Sequence, residues 1–331
     1  MFQINIVILV CIFFISILVS VKASDYKYNH TEEKNHVHST ITNLLSNKEI
    51  IFMGDSLTRY QYLNFIGFLH TGQWVSRHPH VDLEKIWGDD WTRYLKVSTL
   101  RFGGYEICDC YRHPDKPLTT EYTKEQLQGN FVPGMKENRH YLDPVYNISV
   151  KFFFFTGFPF FVNKFPTTTD FFNIDVSSDW WLFDSFSVPT YDFRYDKLHP
   201  FLSDHIKPRV PDVLLFNMGT WLESPCKAEM NKDPKSFVET LKMAAKIPIW
   251  KTTTAYFTSV QQKEPYEFHS EVDNLETLDT IRNGNVTVFD AYQITRPLSF
   301  DKKNYDDNFH FQPHVYTLLN KHFLSLLDKI S

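Results

Sequence analysis

The chain has 331 residues, 43% of them hydrophobic, and a formal net charge of -5. That is enough apolar material for one large α/β core, and the basic residues are scattered rather than clustered, so no electrostatic footprint for nucleic acid is present. No solenoid-like repeat, glycine-rich phosphate loop or long low-complexity stretch interrupts it, which excludes repeat architectures and P-loop chemistry.

Residues 4–21 are apolar, and Val21-Lys22-Ala23 places small residues where a signal peptidase reads. The run is close to the roughly 18-residue threshold for spanning a bilayer and lacks an N-terminal positive charge, so a cleaved leader over 1–23 and an uncleaved anchor both stay open. Residues 24–45 are polar and read as a stem. Asn-x-Ser/Thr sequons at Asn29, Asn147 and Asn285 fit a lumenal or extracellular fate.

Residues 50–53 are a short apolar run of the kind found in covered parallel strands, and Gly54 supplies the freedom a sharp strand-to-helix turn demands. Tyr62, Phe65, Ile66 and Leu69 then recur at helical spacing, predicting one core-facing stripe with Ser56 at the helix N-terminus. A serine there gains from the helix dipole and free backbone N–H groups, which favour the charge that develops in acyl transfer. An ordinary N-cap is the bland reading of the same residue.

Residues 75–143 alternate short strands with Pro, Gly and Asp turns, and Trp87, Trp91, Tyr105 and Tyr111 are either packing residues or the lining of a sugar-binding face. His78-Pro79-His80 is discounted as a metal site, because Pro79 disfavours a ligand-bearing helix and no further histidine or cysteine follows nearby. Residues 150–155 predict a strand ending at Thr156-Gly157. The chain contains 31 phenylalanines, many between positions 152 and 201, and residues 179–183 and 191–193 extend the aromatic content.

Residues 211–221 predict a second buried strand, ending in Asn217 and Gly219 at the same sheet edge as Ser56. An asparagine amide there is either an oxyanion donor or a turn residue. Asp233-Pro234 is a helix start leading into Phe237, Leu241 and Ala244. A strand over 249–257, a helix over 275–281 and a last strand over 286–289 follow. The final helix, from Pro313, is expected to set Val315, Leu318, Leu319, His322, Phe323 and Leu326 on one face. This strand-then-helix order argues for a three-layer α/β/α fold with a central parallel sheet.

Just before that helix lies Asp307-Asn308-Phe309-His310. A serine hydroxyl is a weak nucleophile until a base takes its proton, histidine suits that work near neutrality, and an acid three residues earlier can hold the imidazole in one tautomer. In a chain with 14 histidines a stray loop histidine is the alternative, but with the Gly54-Asp55-Ser56 turn the pair reads as catalytic. Of four cysteines Cys11 falls in the leader, leaving Cys108, Cys110 and Cys226. An odd number in an oxidising compartment suggests one disulfide, Cys226 with Cys108 or Cys110, since strand positions two apart sit about 6.5 to 7 Å apart at Cα.

Gly54-Asp55-Ser56, Asn217 and Asp307-x-x-His310, in that order, resemble the SGNH (GDSL-type) hydrolase superfamily. The longer strings from Gly54 to Gln61 and from Phe216 to Trp221 resemble its PC-esterase branch, which includes trichome-birefringence-like polysaccharide O-acetyltransferases and the lumenal domain of sialate O-acetyltransferase. The resemblance covers 46–331. It implies Ser56 as nucleophile, His310 as base, Asp307 as orienting acid and Asn217 with the Ser56 N–H at the oxyanion. Gly103, Gly104 and Gly157 compete for the second-block oxyanion glycine, and Arg59 and Trp221 are expected at the substrate.

The expected activity is therefore serine-dependent transfer or hydrolysis of O-acetyl groups on a carbohydrate in the secretory pathway, with no metal or cofactor. The substrate is a glycan or other acyl ester, and a membrane is involved only if the leader stays uncleaved. A lipid esterase, or a catalytically silent glycan-binding protein on the same scaffold, would carry the same sequence features.

Overall fold

Ile50, Ile51, Phe52 and Met53, all fully buried, run through the middle of a seven-stranded sheet in the computed structural model. The structure describes residues 36–74, 102, 105–110, 137–154, 172–173, 187–188, 202–219, 230–257, 265–307 and 309–330. Its strands are β1 (Glu49–Gly54), β2 (Glu106–Cys110), β3 (Glu137–Asp143), β4 (Ile148–Phe154), β5 (Phe172–Asn173), β6 (Ser187–Val188), β7 (Val213–Phe216), β8 (Ile247–Lys251) and β9 (Thr287–Phe289). The helices are α1 (36–45), α2 (Ser56–Thr71), α3 (Pro234–Ala244), α4 (Pro265–Asn283), α5 (Ala291–Thr295) and α6 (Pro313–Ile330).

The sheet order is β2-β3-β4-β1-β7-β8-β9, and β5 pairs with β6 in a separate two-stranded sheet. The five strands from β4 to β9 are parallel, with Phe52 level with Phe152 on one side and Leu215 on the other. β2 and β3 extend the β4 edge antiparallel. The chain leaves β1 toward β4 and later returns to β7 on its other flank, so the carboxyl end of β1 is the switch point where open α/β sheets form their crevices.

Side chains alternate across each strand, and the two faces bury separate cores. Ile50, Phe52, Val213, Leu215, Ile249 and Phe289 share one core with α2 and α6, whereas Ile51, Met53, Leu214, Phe216 and Trp250 share the other with α3 and Ile281 of α4. This is the expected three-layer arrangement. Each layer position follows from which face of the pleat a residue occupies.

Two helices bury more than their sequence stripes foretold. α2 is covered almost all round, from Leu57 to Leu69, because it lies between the sheet and α6. On α6 the inward residues are Val315, Tyr316, Leu319, Asn320, Phe323, Leu324 and Leu327, while the expected His322 is exposed. Asn320 takes the inward place because its amide donates to Gln61 O and Asn64 Oδ1, both at 3.0 Å. Hydrophobic period alone has no way to register a buried amide that finds its partners on another helix.

Three boundaries also differ. The polar stem gives way to α1 at its end, where Thr42 and Leu45 are fully buried. The strand expected over 249–257 stops at Lys251. Beyond it the Thr253 amide donates to Asn274 Oδ1, and the Ala255 amide donates to Thr295 Oγ1, so side chains replace a β ladder that β9 is too short to continue. The helix expected over 275–281 extends over Pro265–Asn283.

Asn147 and Asn285 both sit at exposed turns in the left-handed region, with φ of 53° and 56°. Asparagine tolerates that conformation better than most residues. Among the described residues no helix is long and apolar enough to cross a membrane, and the apolar 4–21 segment and Asn29 lie outside them.

Candidate active site

The turn after β1 is tight because nothing larger than glycine fits at position 54. A Cβ there would meet Thr58 Oγ1 at 2.6 Å and Asn217 O at 3.2 Å. Asp55 then caps α2, its Oδ1 accepting from the amides of Leu57 at 3.0 Å and Thr58 at 3.4 Å. The bland reading of Ser56 as the N-cap is therefore displaced: Ser56 is the first helical residue, half-buried, and the cap is Asp55. The first N–H of a helix has no intrahelical acceptor, so the Ser56 amide lies at the positive end of the α2 dipole.

His310 reaches this position from a loop 254 residues away in sequence. Its Nε2 lies 2.8 Å from Ser56 Oγ, and its Nδ1 lies 2.6 Å from Asp307 Oδ2. A carboxylate accepts, so Nδ1 carries the proton and Nε2 presents its lone pair to the serine hydroxyl. Asp307 Oδ1 meanwhile accepts from the amides of Phe309 and His310, both at 2.7 Å, which folds the loop around the carboxylate. Burial alone would raise the Asp307 pKa, but the hydrogen bonds from the His310 amide, the His310 ring and the Phe309 amide outweigh it and hold the carboxyl below the usual range.

The loop is anchored at both ends. Tyr305 and Phe311 form an antiparallel bridge, Asp306 N donates to His310 O at 2.8 Å, and Tyr305 Oη donates to Ala255 O at 2.9 Å. The imidazole is also held from the helix side, since the Tyr60 ring stands edge-on to it at 5.2 Å. Tyr60 was read only as part of a motif string, yet it occupies the position four residues after Ser56, which a helix places on the same face. That spacing was the signal. Arg59, expected at the substrate, lies 4.8 Å over the Tyr60 ring.

Asn217 departs from its expected role. It is 2% exposed, and its Nδ2 donates to Lys251 O at 2.9 Å and Thr253 Oγ1 at 3.3 Å, while its Oδ1 accepts from the Gly219 amide at 2.9 Å. Both amide hydrogens are thus directed into the fold and not toward an oxyanion. The side chain brackets β7 to the chain after β8 and shapes the turn at Gly219. Gly219 has φ of 84°, and a Cβ there would meet Asp55 Oδ2 at 2.8 Å, so this turn closes directly over the capping carboxylate.

Other sequence expectations fall elsewhere. Tyr105 packs against His70 and Tyr141, with ring centroids at 5.0 and 6.3 Å, as a packing residue does. Cys108 and Cys110 lie on β2 in register with Arg139 and Glu137. Gly103, Gly104, Gly157, Trp221, Cys226, Trp87, Trp91, Tyr111 and the His78-Pro79-His80 sequence lie outside the described residues.

No family model matches the chain, and no curated protein matches it either. Among solved structures it is similar to LAE5, an alpha/beta hydrolase enzyme from the metagenome of Lake Arreo, Spain, at 10% identity and a TM-score of 0.40, over 88% of this chain and 99% of that one. It is also similar to Axe2, an acetylxylan esterase from Geobacillus stearothermophilus, at 13% identity and a TM-score of 0.38, over 86% of this chain and 96% of that one.

Proposed function

We propose that this chain is a serine-dependent acyl-transfer enzyme, an O-acetyltransferase or O-acetylesterase, that acts on a carbohydrate through an acetyl-serine intermediate. The observation that carries the reading is the continuous relay from Asp307 Oδ2 through His310 to Ser56 Oγ, at 2.6 and 2.8 Å. His310 Nε2 takes the hydroxyl proton as Ser56 Oγ attacks the ester carbonyl carbon. The N–H of Ser56, at the α2 N-terminus, stabilises the resulting oxyanion. Collapse breaks the bond to the leaving oxygen, which takes the proton back from His310, and acetyl-serine remains. Water or a sugar hydroxyl then attacks this ester, gives its proton to His310, and releases Ser56.

The same groups start hydrolysis and transfer, so the acceptor decides between them. The motif resemblance to the PC-esterase branch supports a glycan acceptor. The apolar 4–21 segment and the sequons at Asn29, Asn147 and Asn285 support a secretory-pathway location, in which Cys226 pairs with Cys108 or Cys110.

The test is mass spectrometry of purified protein quenched after brief exposure to a chromogenic acetyl ester. Acetyl on the peptide bearing Ser56, absent from Ser56→Ala, is expected. Full ester turnover by Ser56→Ala removes the serine reading. Preference for long acyl chains over acetyl would make the protein a lipid esterase, and no turnover of either ester would make it a silent binding scaffold.

A further inference from the structure

Directly below the nucleophile turn lies a buried ammonium group. Lys251 ends β8 on the face that carries Ile249 and packs against α2, and it is 1% exposed. Its Nζ donates to Thr58 Oγ1 at 3.2 Å. Thr58 in turn fills the space against Gly54, and its amide donates to Asp55 Oδ1. A buried ammonium is costly to keep inside a fold, and a hydrophobic residue of similar volume would pack there at lower cost. The lysine carries a load that packing alone does not demand.

We infer that Lys251 is a positioning residue for Ser56: its ammonium clamps Thr58, and with it the first turn of α2, so that the Ser56 hydroxyl stays in register with His310. The inference rests on the serine reading above. It adds a part of the device that lies on neither the nucleophile turn nor the histidine loop. The clamp needs the charge, because an ammonium only donates to Thr58 Oγ1 and is attracted by the Asp55 carboxylate, whereas a neutral amine can also accept, makes a weaker bond to the hydroxyl and loses the attraction to Asp55.

The charged group that acts on Lys251 is Asp55 on the turn; Asp55 also acts on Tyr316 of α6 together with Arg59 of α2, Asp290 accepts from Thr252, the residue after Lys251, and His310 meets α2 at Ser56, two positions before Thr58. Burial raises the Tyr316 phenol well up, so it stays neutral, and arginine stays charged. At Lys251 burial lowers the pKa to about 8, with Asp55 opposing. Since the unfolded value is about 10.4, the unfolded chain binds more protons between the two, and this group adds stability as pH rises through that window. Positioning predicts the opposite trend for reactivity. Ser56 should become less reactive over the range in which the fold gains stability, and a purely structural lysine gives no such divergence.

The experiment measures the rate at which a fluorophosphonate probe labels Ser56, and acetyl-ester kcat and KM, from about pH 6.5 to 9.5, alongside urea unfolding. In wild type, labelling is expected to fall as pH passes about 8. Lys251→Met is expected to label about 10- to 100-fold more slowly, with KM within about twofold and no inflection. Lys251→Arg restores the charge and moves the inflection out of range. If Lys251→Met does not fold, Thr58→Val, which removes the acceptor, takes its place and is expected to slow labelling and lower the inflection. A folded Lys251→Met with the rate and pH profile of wild type, or an unchanged Thr58→Val, overturns the inference. Absence of probe on Ser56 in wild type overturns the serine reading instead.

Discussion

The ring of Tyr60 stands edge-on to the imidazole of His310, with centroids 5.2 Å apart and planes at 78°. Ser56 and Tyr60 share one face of α2, so the helix that presents the hydroxyl also presents the wall against which its partner base rests. Tyr60 is itself backed by Tyr316 at 5.8 Å. The Ser56 hydroxyl and one wall of the imidazole are thereby set by a single helix, while Asp307 holds the ring from the loop.

Tyr60→Ala is expected to lower acetyl-ester kcat about 10- to 100-fold with little change in KM, because the imidazole loses a packing wall and not a substrate contact. Tyr60→Phe keeps the ring and is expected to stay near wild type. Steady-state kinetics on both variants checks this, and a wild-type kcat in Tyr60→Ala would remove the role.

Asp307 and His310 are expected to behave as one device. Each alanine variant loses most of the rate, and the double variant costs little more than His310→Ala, because coupled catalytic groups are strongly non-additive. The acid side follows from Asp307. Its folded pKa is depressed, so its stabilising contribution is complete above the unfolded value of about 3.9 and disappears as pH falls through the folded one. Urea midpoints measured from neutral pH downward should fall less steeply in Asp307→Asn than in wild type. Identical curves would show the loop hydrogen bonds to be inconsequential for stability.

For Asn217→Ala a loss of stability on the order of 1–3 kcal/mol is expected, since two acceptors, Lys251 O and Thr253 Oγ1, and one donor, the Gly219 amide, lose their partner. The activity that survives at low temperature should be substantial. An unchanged unfolding midpoint combined with a hundredfold drop in kcat would restore the amide to the oxyanion.

Phe323 touches Phe52, Phe65 and Phe289 with centroids at 5.5, 6.0 and 6.0 Å, joining α6 to both α2 and the sheet. Phe323→Ala is expected to cost about 3–5 kcal/mol by chemical denaturation. A cost below about 1 kcal/mol would mean that α6 is not part of the cooperative core.

Much of this was legible in the residues themselves. The apolar runs of β1 and β7, the Asp233-Pro234 start of α3 and the periodic face of α6 are local signals, because period and capping depend on neighbours a few positions away. The residues that meet at the site were legible as well, since the Gly54-Asp55-Ser56 turn and the Asp307-x-x-His310 loop each have a local pattern, and the structure joins them through hydrogen bonds of 2.6 and 2.8 Å. The tertiary structure decided what is set by neighbours distant in sequence. The Asn217 amide turned inward because Lys251 O and Thr253 Oγ1 offered it partners across the sheet. Asn320 displaced His322 from the core because Gln61 and Asn64 lie opposite it. Tyr60 and Lys251 acquired positions at the site only when α2, β8 and the histidine loop came together, and a hydrogen bond between strangers in sequence leaves no period, cap or spacing to read.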